Sequence, residues 1–229
     1  MRKFLAISAH PDDSDFGAAG TIARLAQQGD SVDLLIVSDG SKGSHHVGFG
    51  GKRLSAIREK EQKASATVTG AGRVYFLKEL DGEVENTKRL RKKLVEVIRR
   101  VRPDVILSCD PVALFERAGL CHKDHRETAV AVFDAVYPAA GSESFFPELK
   151  KRGFLPHSVS EMWFWGAGVP TKHIDISKTI EKKIEALLCH KSQIADPKML
   201  EVRIRERARD VARGKRAKYA EGFRVLKLS

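Results

Sequence analysis

Short apolar runs of four to six residues recur along this chain, and each is followed by a longer segment of helical periodicity. Phe4-Leu5-Ala6-Ile7-Ser8-Ala9, Val32-Asp33-Leu34-Leu35-Ile36-Val37, Val74-Tyr75-Phe76-Leu77 and Asp104-Val105-Ile106-Leu107-Ser108 read as buried strands. Between them the pattern predicts helices over 16–28, 53–68 and 86–101, with a fourth over 124–136. The first stops at Gly29-Asp30 and the third at Pro103. Strands that alternate with helices form parallel sheets covered on both faces, which excludes all-α bundles and antiparallel sandwiches. Beyond residue 140 the order loosens. Strands are expected at Ser160–Trp165 and His173–Ile176, helices at 177–190 and 198–219, and a last apolar run at Phe223–Leu226.

The 229 residues carry 42% apolar side chains, enough for one full-sized core without disulfide or metal staples. No Pro/Ser-rich linker or internal repeat divides the chain, so 1–229 is read as one domain. Cys109, Cys121 and Cys189 form no Cys-x-x-Cys pair, which argues against a disulfide framework or a cysteine zinc site and fits a reducing compartment. The N-terminus lacks a signal-peptide cleavage site, and no apolar run reaches the roughly 18 residues that span a bilayer, so a cytoplasmic protein is expected.

Ligands of open α/β sheets bind beyond the carboxyl ends of the strands. Two polar clusters fall there: His10-Pro11-Asp12-Asp13-Ser14-Asp15 after the first strand, and His122-Lys123-Asp124-His125 after the fourth. Imidazoles and carboxylates suit zinc or another divalent first-row metal, and a catalytic site needs only three of them. A plainer reading also stands on spacing alone, with Asp12 to Asp15 capping the next helix and His122 and His125 lying on a solvated first turn.

Ala9-His10-Pro11-Asp12-Asp13, Gly17-Ala18-Ala19-Gly20-Thr21 and His122-Lys123-Asp124-His125 resemble the PIG-L/LmbE-like family of metal-dependent N-acetylglucosamine deacetylases. Arg58-Glu59-Lys60-Glu61, Leu80-Asp81-Gly82, the block at 186–193 and Tyr219-Ala220-Glu221-Gly222-Phe223 extend the similarity over nearly the whole chain. The resemblance implies a Rossmann-like α/β fold with a mostly parallel sheet. It implies that His10, Asp13 and His125 hold a Zn2+ ion, with Fe2+ as another possible metal. It further implies that Asp12 is the general base, and that His122 supports the oxyanion or the leaving amine with Asp124 holding its ring. The substrate implied is a small amino-sugar conjugate, and the protein is expected to be a homo-oligomer. A related amidase on a sugar-amine conjugate is the nearest alternative. Ser14 stands where the family usually has Glu, Lys123 where Pro is frequent, and Ala19 where Gly is. None of these positions has an implied metal or base role.

Arg58 is a candidate contact to a sugar hydroxyl or a phosphate and Asp81 a candidate acceptor from sugar hydroxyls, although Arg58 could equally pair with Glu61 on a solvated helix face. His45 and His46 in the Gly-rich loop at 38–51 are read as solvated. His190 and Gln193 are explained as well by helix packing as by a site. Trp163 and Trp165 share one side of a strand, with core packing the main use expected of them and sugar stacking the alternative. Other classes compete less well. Iron oxygenases with two His and one carboxylate usually use β-barrels. Asp13-x-Asp15 imitates a phosphatase nucleophile, but the preceding His10-Pro11 does not suit it.

Net charge raises a third competitor. The chain is formally +11, and residues 88–102 and 198–229 carry +7 each, which leaves the rest at −3. Basic helices are the footprint of nucleic-acid binding. Here they lack interleaved aromatics, so no nucleic acid is expected; an anionic substrate or a subunit contact fits them better.

Overall fold

The computed structural model describes residues 1–43, 50–116 and 119–228. Seven strands form one sheet in the order β3-β2-β1-β4-β7-β9-β8. They are β1 (Lys3–Ser8), β2 (Ser31–Ser38), β3 (Val74–Glu79), β4 (Val105–Cys109), β7 (Glu161–Trp165), β8 (Lys172–Asp175) and β9 (Ala220–Lys227). Strands β3, β2, β1, β4 and β7 pair in parallel, and β9 joins antiparallel to β7 and β8. The mostly parallel sheet expected from the alternation is present, and its antiparallel edge comes from the less regular C-terminal third. A two-stranded ribbon, β5 (Phe115–Glu116) with β6 (Gly119–Leu120), stands apart from it and has no counterpart in the sequence reading.

The long helices follow the expected spacing: α1 (Asp13–Gln27), α2 (Gly51–Thr69), α3 (Lys88–Val101), α4 (Lys123–Asp134), α6 (Ile180–Leu188) and α7 (Pro197–Ala212), with a short α5 (Pro147–Lys151) between α4 and β7. Helix α7 ends seven residues before the predicted boundary. Gly214 adopts φ 74°, a left-handed conformation that stops the helix and frees the chain to enter β9. None of the helices is long and apolar enough to cross a membrane among the described residues.

Each strand feeds two cores because successive side chains point to opposite faces. In β1, Leu5 and Ile7 pack with Leu90, Leu94 and Ile98 of α3. Phe4 and Ala6 pack on the other face with Ala18 and Ile22 of α1. Trp163 and Trp165 share that second face, where Trp163 meets Phe4 edge-on at 5.7 Å. Helix α1 lies close to its neighbours because Gly17 and Gly20 have no side chain. A Cβ at Gly17 would fall 2.6 Å from Trp165, and one at Gly20 would fall 2.8 Å from Ile176.

A buried ion pair fixes α1 against α6 and β9. Lys183 Nζ lies 2.5 Å from Glu221 and donates to the carbonyls of Asp15 and Phe16, while Glu221 accepts from the backbone N–H groups of Gly20 and Thr21. Such a pair sets position more than it adds stability, because burying both charges is costly. The basic face of α3 is largely matched by acids. Arg89 and Lys93 pair with Glu79, Arg91 with Asp134, Lys92 with Glu148 and Arg100 with Glu96.

The contact at Gly20 gives a test in which two effects oppose each other. Alanine raises helix propensity by about 1 kcal/mol over glycine. At Gly20 its methyl would press on the branched carbons of a wholly buried Ile176, and overpacking of this kind costs about 1–3 kcal/mol. Gly20→Ala is therefore expected to lower the urea midpoint; a rise would show that α1 can shift freely.

Candidate metal centre

Strand β1 lies between β2 and β4, so the chain order reverses beside it and the loops after β1 and β4 diverge around a crevice. The first loop delivers His10, Asp12 and Asp13; the second delivers His122, Asp124 and His125 at the start of α4. Both expected clusters meet there. Asp12 is the residue before α1, yet its side chain caps nothing, and its backbone sits at φ 100°, ψ −28°. The plain capping role is thus not taken up by Asp12.

One ligand atom each from His10, Asp13 and His125 lie within 4.8 Å of one another. Asp13 Oδ1 is 3.1 Å from His125 Nε2, and Asp13 Oδ2 is 3.6 Å from His10 Nδ1 while accepting the His10 backbone N–H at 2.8 Å. The other face of the His10 ring is held by two carboxylates, with Nε2 3.2 Å from both Asp81 Oδ1 and Asp124 Oδ2. His10, His122 and Asp124 form a second compact trio. In that trio Asp124 is wholly buried and already accepts the backbone N–H groups of Gly82 and Val84. It acts as an orienting group. Two imidazoles and one carboxylate, with carboxylates behind the first imidazole, are the donor set and support of a divalent first-row metal. The residues fit such an ion.

The electrostatics point the same way. Burial opposes a charged His10 ring, but Asp124, Asp13 and Asp81 outweigh it and push the ring up to about 12. Burial also works against ionised Asp13 and Asp81. His125 and His10 nevertheless hold Asp13 well below the usual carboxylate range, and His10 with the Lys42 backbone N–H holds Asp81 at about 2. This is a pocket of carboxylates that favours positive charge. Asp12 moves the opposite way, to about 6, through burial and its neighbour Asp13, against the pull of Arg58. His122 is lowered by burial and by His10. Its Nδ1 accepts the Asp124 backbone N–H at 3.1 Å, so the neutral ring carries its proton on Nε2.

Three assignments change at this resolution of detail. The Asp124 carboxylate holds the ring of His10; toward His122 it is the Asp124 backbone that acts. Arg58 forms no solvated pair with Glu61, which instead accepts from Ser192. Arg58 is buried and bonds to Pro11 O at 2.7 Å, Gly40 O at 3.1 Å and Asp12 Oδ2 at 3.3 Å. Asp81 is likewise committed, to His10 and to the Lys42 N–H. Ser14 is buried in the first turn of α1, and Lys123 donates to Val84 O. His190 is wholly buried with Nε2 2.7 Å from Asp15. Gln62, which the sequence reading passed over, bonds to both Asp12 and Asp15. Its one signal is its place one turn after Arg58. His45 and His46 lie outside the described residues.

A cleft of about 760 Å³ is lined by Asp13 and His125, by Phe16, Gly17 and Trp165, and by Arg207 and Arg213 of the α7 region. The centre is therefore reachable by a ligand larger than water.

Comparison with known proteins agrees with this geometry. The family model described as "PIG-L: GlcNAc-PI de-N-acetylase" matches residues 5–136. The diacetylchitobiose deacetylase of Thermococcus kodakarensis is 33% identical over 99% of this chain and 84% of its own length. A probable N-acetyl-alpha-D-glucosaminyl L-malate deacetylase of Bacillus anthracis is 27% identical over 85% of this chain and 82% of its own. The solved N,N'-diacetylchitobiose deacetylase of Pyrococcus horikoshii superimposes with a TM-score of 0.91 at 30% identity, covering 99% of this chain and 84% of that one. With its motifs meeting at one crevice and its fold shared along the whole length, the chain belongs to the PIG-L family.

Proposed function

We propose that this protein removes the acetyl group from an N-acetylglucosamine-type conjugate, releasing acetate and a free amine. The observation that carries the reading is the convergence of the His10–Asp13–His125 trio with the Asp12 carboxylate, raised to about 6, beside a cleft that Asp13 and His125 line. Its deacetylase relatives support the same substrate class. A divalent metal such as zinc, held by His10, Asp13 and His125, would polarise the acetamide carbonyl and lower the pKa of a water beside it.

Asp12 takes the proton of the attacking water as the new C–O bond forms. A carboxyl at about 6 is ionised at neutral pH yet basic enough for this transfer. The neutral His122 offers its Nε2–H to the oxygen that gains charge, and the proton held by Asp12 or His122 goes to the nitrogen as the C–N bond breaks. Asp124 and Asp81 fix the His10 ring, and Arg58 keeps the Asp12 carboxylate in place. Arg58 and Asp81 are both buried and already bonded, so we assign them to support of the base and of the His10 ring and not to the sugar hydroxyls. Trp165 and Phe16 flank the path along which the rest of the conjugate lies.

Acetate release from a panel of N-acetylglucosamine conjugates, with and without added zinc, tests the reading. Asp12→Asn is expected to lose about 10²–10⁴-fold in kcat while keeping its metal, since general-base catalysis contributes on that order. Full activity in Asp12→Asn would remove it as the base. In the wild type, kcat/KM should hold above about pH 6 and fall as acid protonates Asp12; a cation at the trio moves this limb lower. Metal analysis checks the ligands separately. His10→Ala and His125→Ala are each expected to lose stoichiometric metal, and retention in either variant excludes that residue.

A further inference from the structure

We propose that Gln62 is a positioning residue for the Asp12 carboxylate, acting through the Pro11–Asp12 peptide; this rests on the deacetylase reading, in which Asp12 is the base. The two polar atoms of that one peptide group are both held by α2. Arg58 donates to Pro11 O at 2.7 Å, and the Asp12 N–H donates to Gln62 Oε1 at 2.9 Å. Arg58 and Gln62 are one helical turn apart on the same face, so a single rigid helix grips the peptide from both sides. The peptide that follows is held by α1, where Asp12 O accepts from the N–H groups of Asp15 and Phe16 at 2.8 and 3.0 Å. With both flanking peptides fixed, Asp12 has little choice but φ 100°, a conformation that non-glycine residues keep only when their surroundings impose it.

The orientation of the Gln62 amide is settled by its partners. The Asp12 N–H can only donate, so it takes the amide oxygen; the NH2 then meets Asp15 Oδ2 at 3.0 Å. Asp15 is pinned in turn by His190 Nε2 at 2.7 Å, and Gln62, Asp15 and His190 are all wholly buried. None of the three is among the trio or the base. They form a fixed post behind it, running from the turn after α6 through α1 to α2, and Gln62 is the member that touches the base's own backbone.

The test uses the full-length, metal-loaded protein. Gln62→Met keeps the length and volume of the side chain but removes both amide bonds, whereas Gln62→Glu retains an acceptor for the Asp12 N–H. A misplaced base costs about 10- to 100-fold, so Gln62→Met is expected to lower kcat by that factor, with KM and metal content unchanged and with the Asp12 amide newly open to hydrogen exchange. Gln62→Glu is expected to recover most of kcat and the amide protection. Wild-type kcat with a protected Asp12 amide in Gln62→Met overturns the proposal, and so does equal damage in the two variants, which would show that the link to Asp15 alone matters. If Gln62→Met does not fold, Gln62→Glu decides: kcat near wild type supports the clamp, and collapse overturns it. An active Asp12→Asn enzyme, or no acetate from any conjugate, sinks the functional reading instead, whatever the Gln62 variants do.

Discussion

Four aspartates and three histidines meet at one end of the sheet, and the electrostatic cost of that meeting organises the loops around it. His10 is touched by Asp13, Asp81 and Asp124, which come from α1, from the turn after β3 and from α4. Charges withdrawn from water need partners, and an unpaired one in this setting is expensive. Each loop is therefore stitched by backbone donors as well. Asp124 gathers the N–H groups of Gly82 and Val84, Asp81 takes that of Lys42, and Asp13 takes that of His10. The result ties the β1, β2, β3 and β4 loops together. It also gathers negative charge around His10, a setting suited to a divalent ion.

How much of this can be read from the chain depends on whether the information is local. Strands such as Phe4–Ala9 are legible because a short apolar run can only be buried, and α1 ends near Gly29 for reasons written beside it. The ligand types in His10–Asp13 and His122–His125 are legible too, since strand-end loops gather at the switch point. Partnership is not legible in this way. Arg58 and Gln62 look like two more polar residues on a charged helix, and only packing α2 against the β1 loop buries them. Asp124 lies two residues from His122 in sequence, but the helix turns its carboxylate toward His10, which is 114 positions away. Side-chain partners across such distances are set by the fold, and nothing near them in the sequence encodes the choice.

Charge shows the same division. The +7 of residues 88–102 is a true property of the sequence, but its meaning is tertiary. Lys92, Arg89 and Lys93 meet Glu148 and Glu79 from other elements, and Arg99 turns inward to cap the carbonyls of Ala139, Ala140, Ser142 and Phe145. A side chain used in this way offers little to a polyanion. At α7 the basic residues are closer to the cleft, where Arg207 and Arg213 form part of the lining, although Arg213 also pairs with Asp210. The excess charge therefore splits into a part absorbed by the scaffold and a smaller part that faces the path to the centre.

The backbone of Asp12 joins these threads. An aspartate placed just before a helix normally turns its side chain back onto the first N–H groups, which satisfies them and stabilises the carboxylate. That would draw the group away from the crevice and lower its pKa, two changes that make a poor base. At φ 100° the side chain does not reach those donors. The side chain instead keeps 13% of its surface open beside Arg58, and burial with Asp13 next to it raises the carboxyl to about 6. The strained conformation carries an energy cost of order 1–3 kcal/mol, and the hydrogen bonds that α2 and α1 place on both flanking peptides offset it. A helix that looks merely charged in sequence is thus what separates an aspartate that caps from one that can accept a proton.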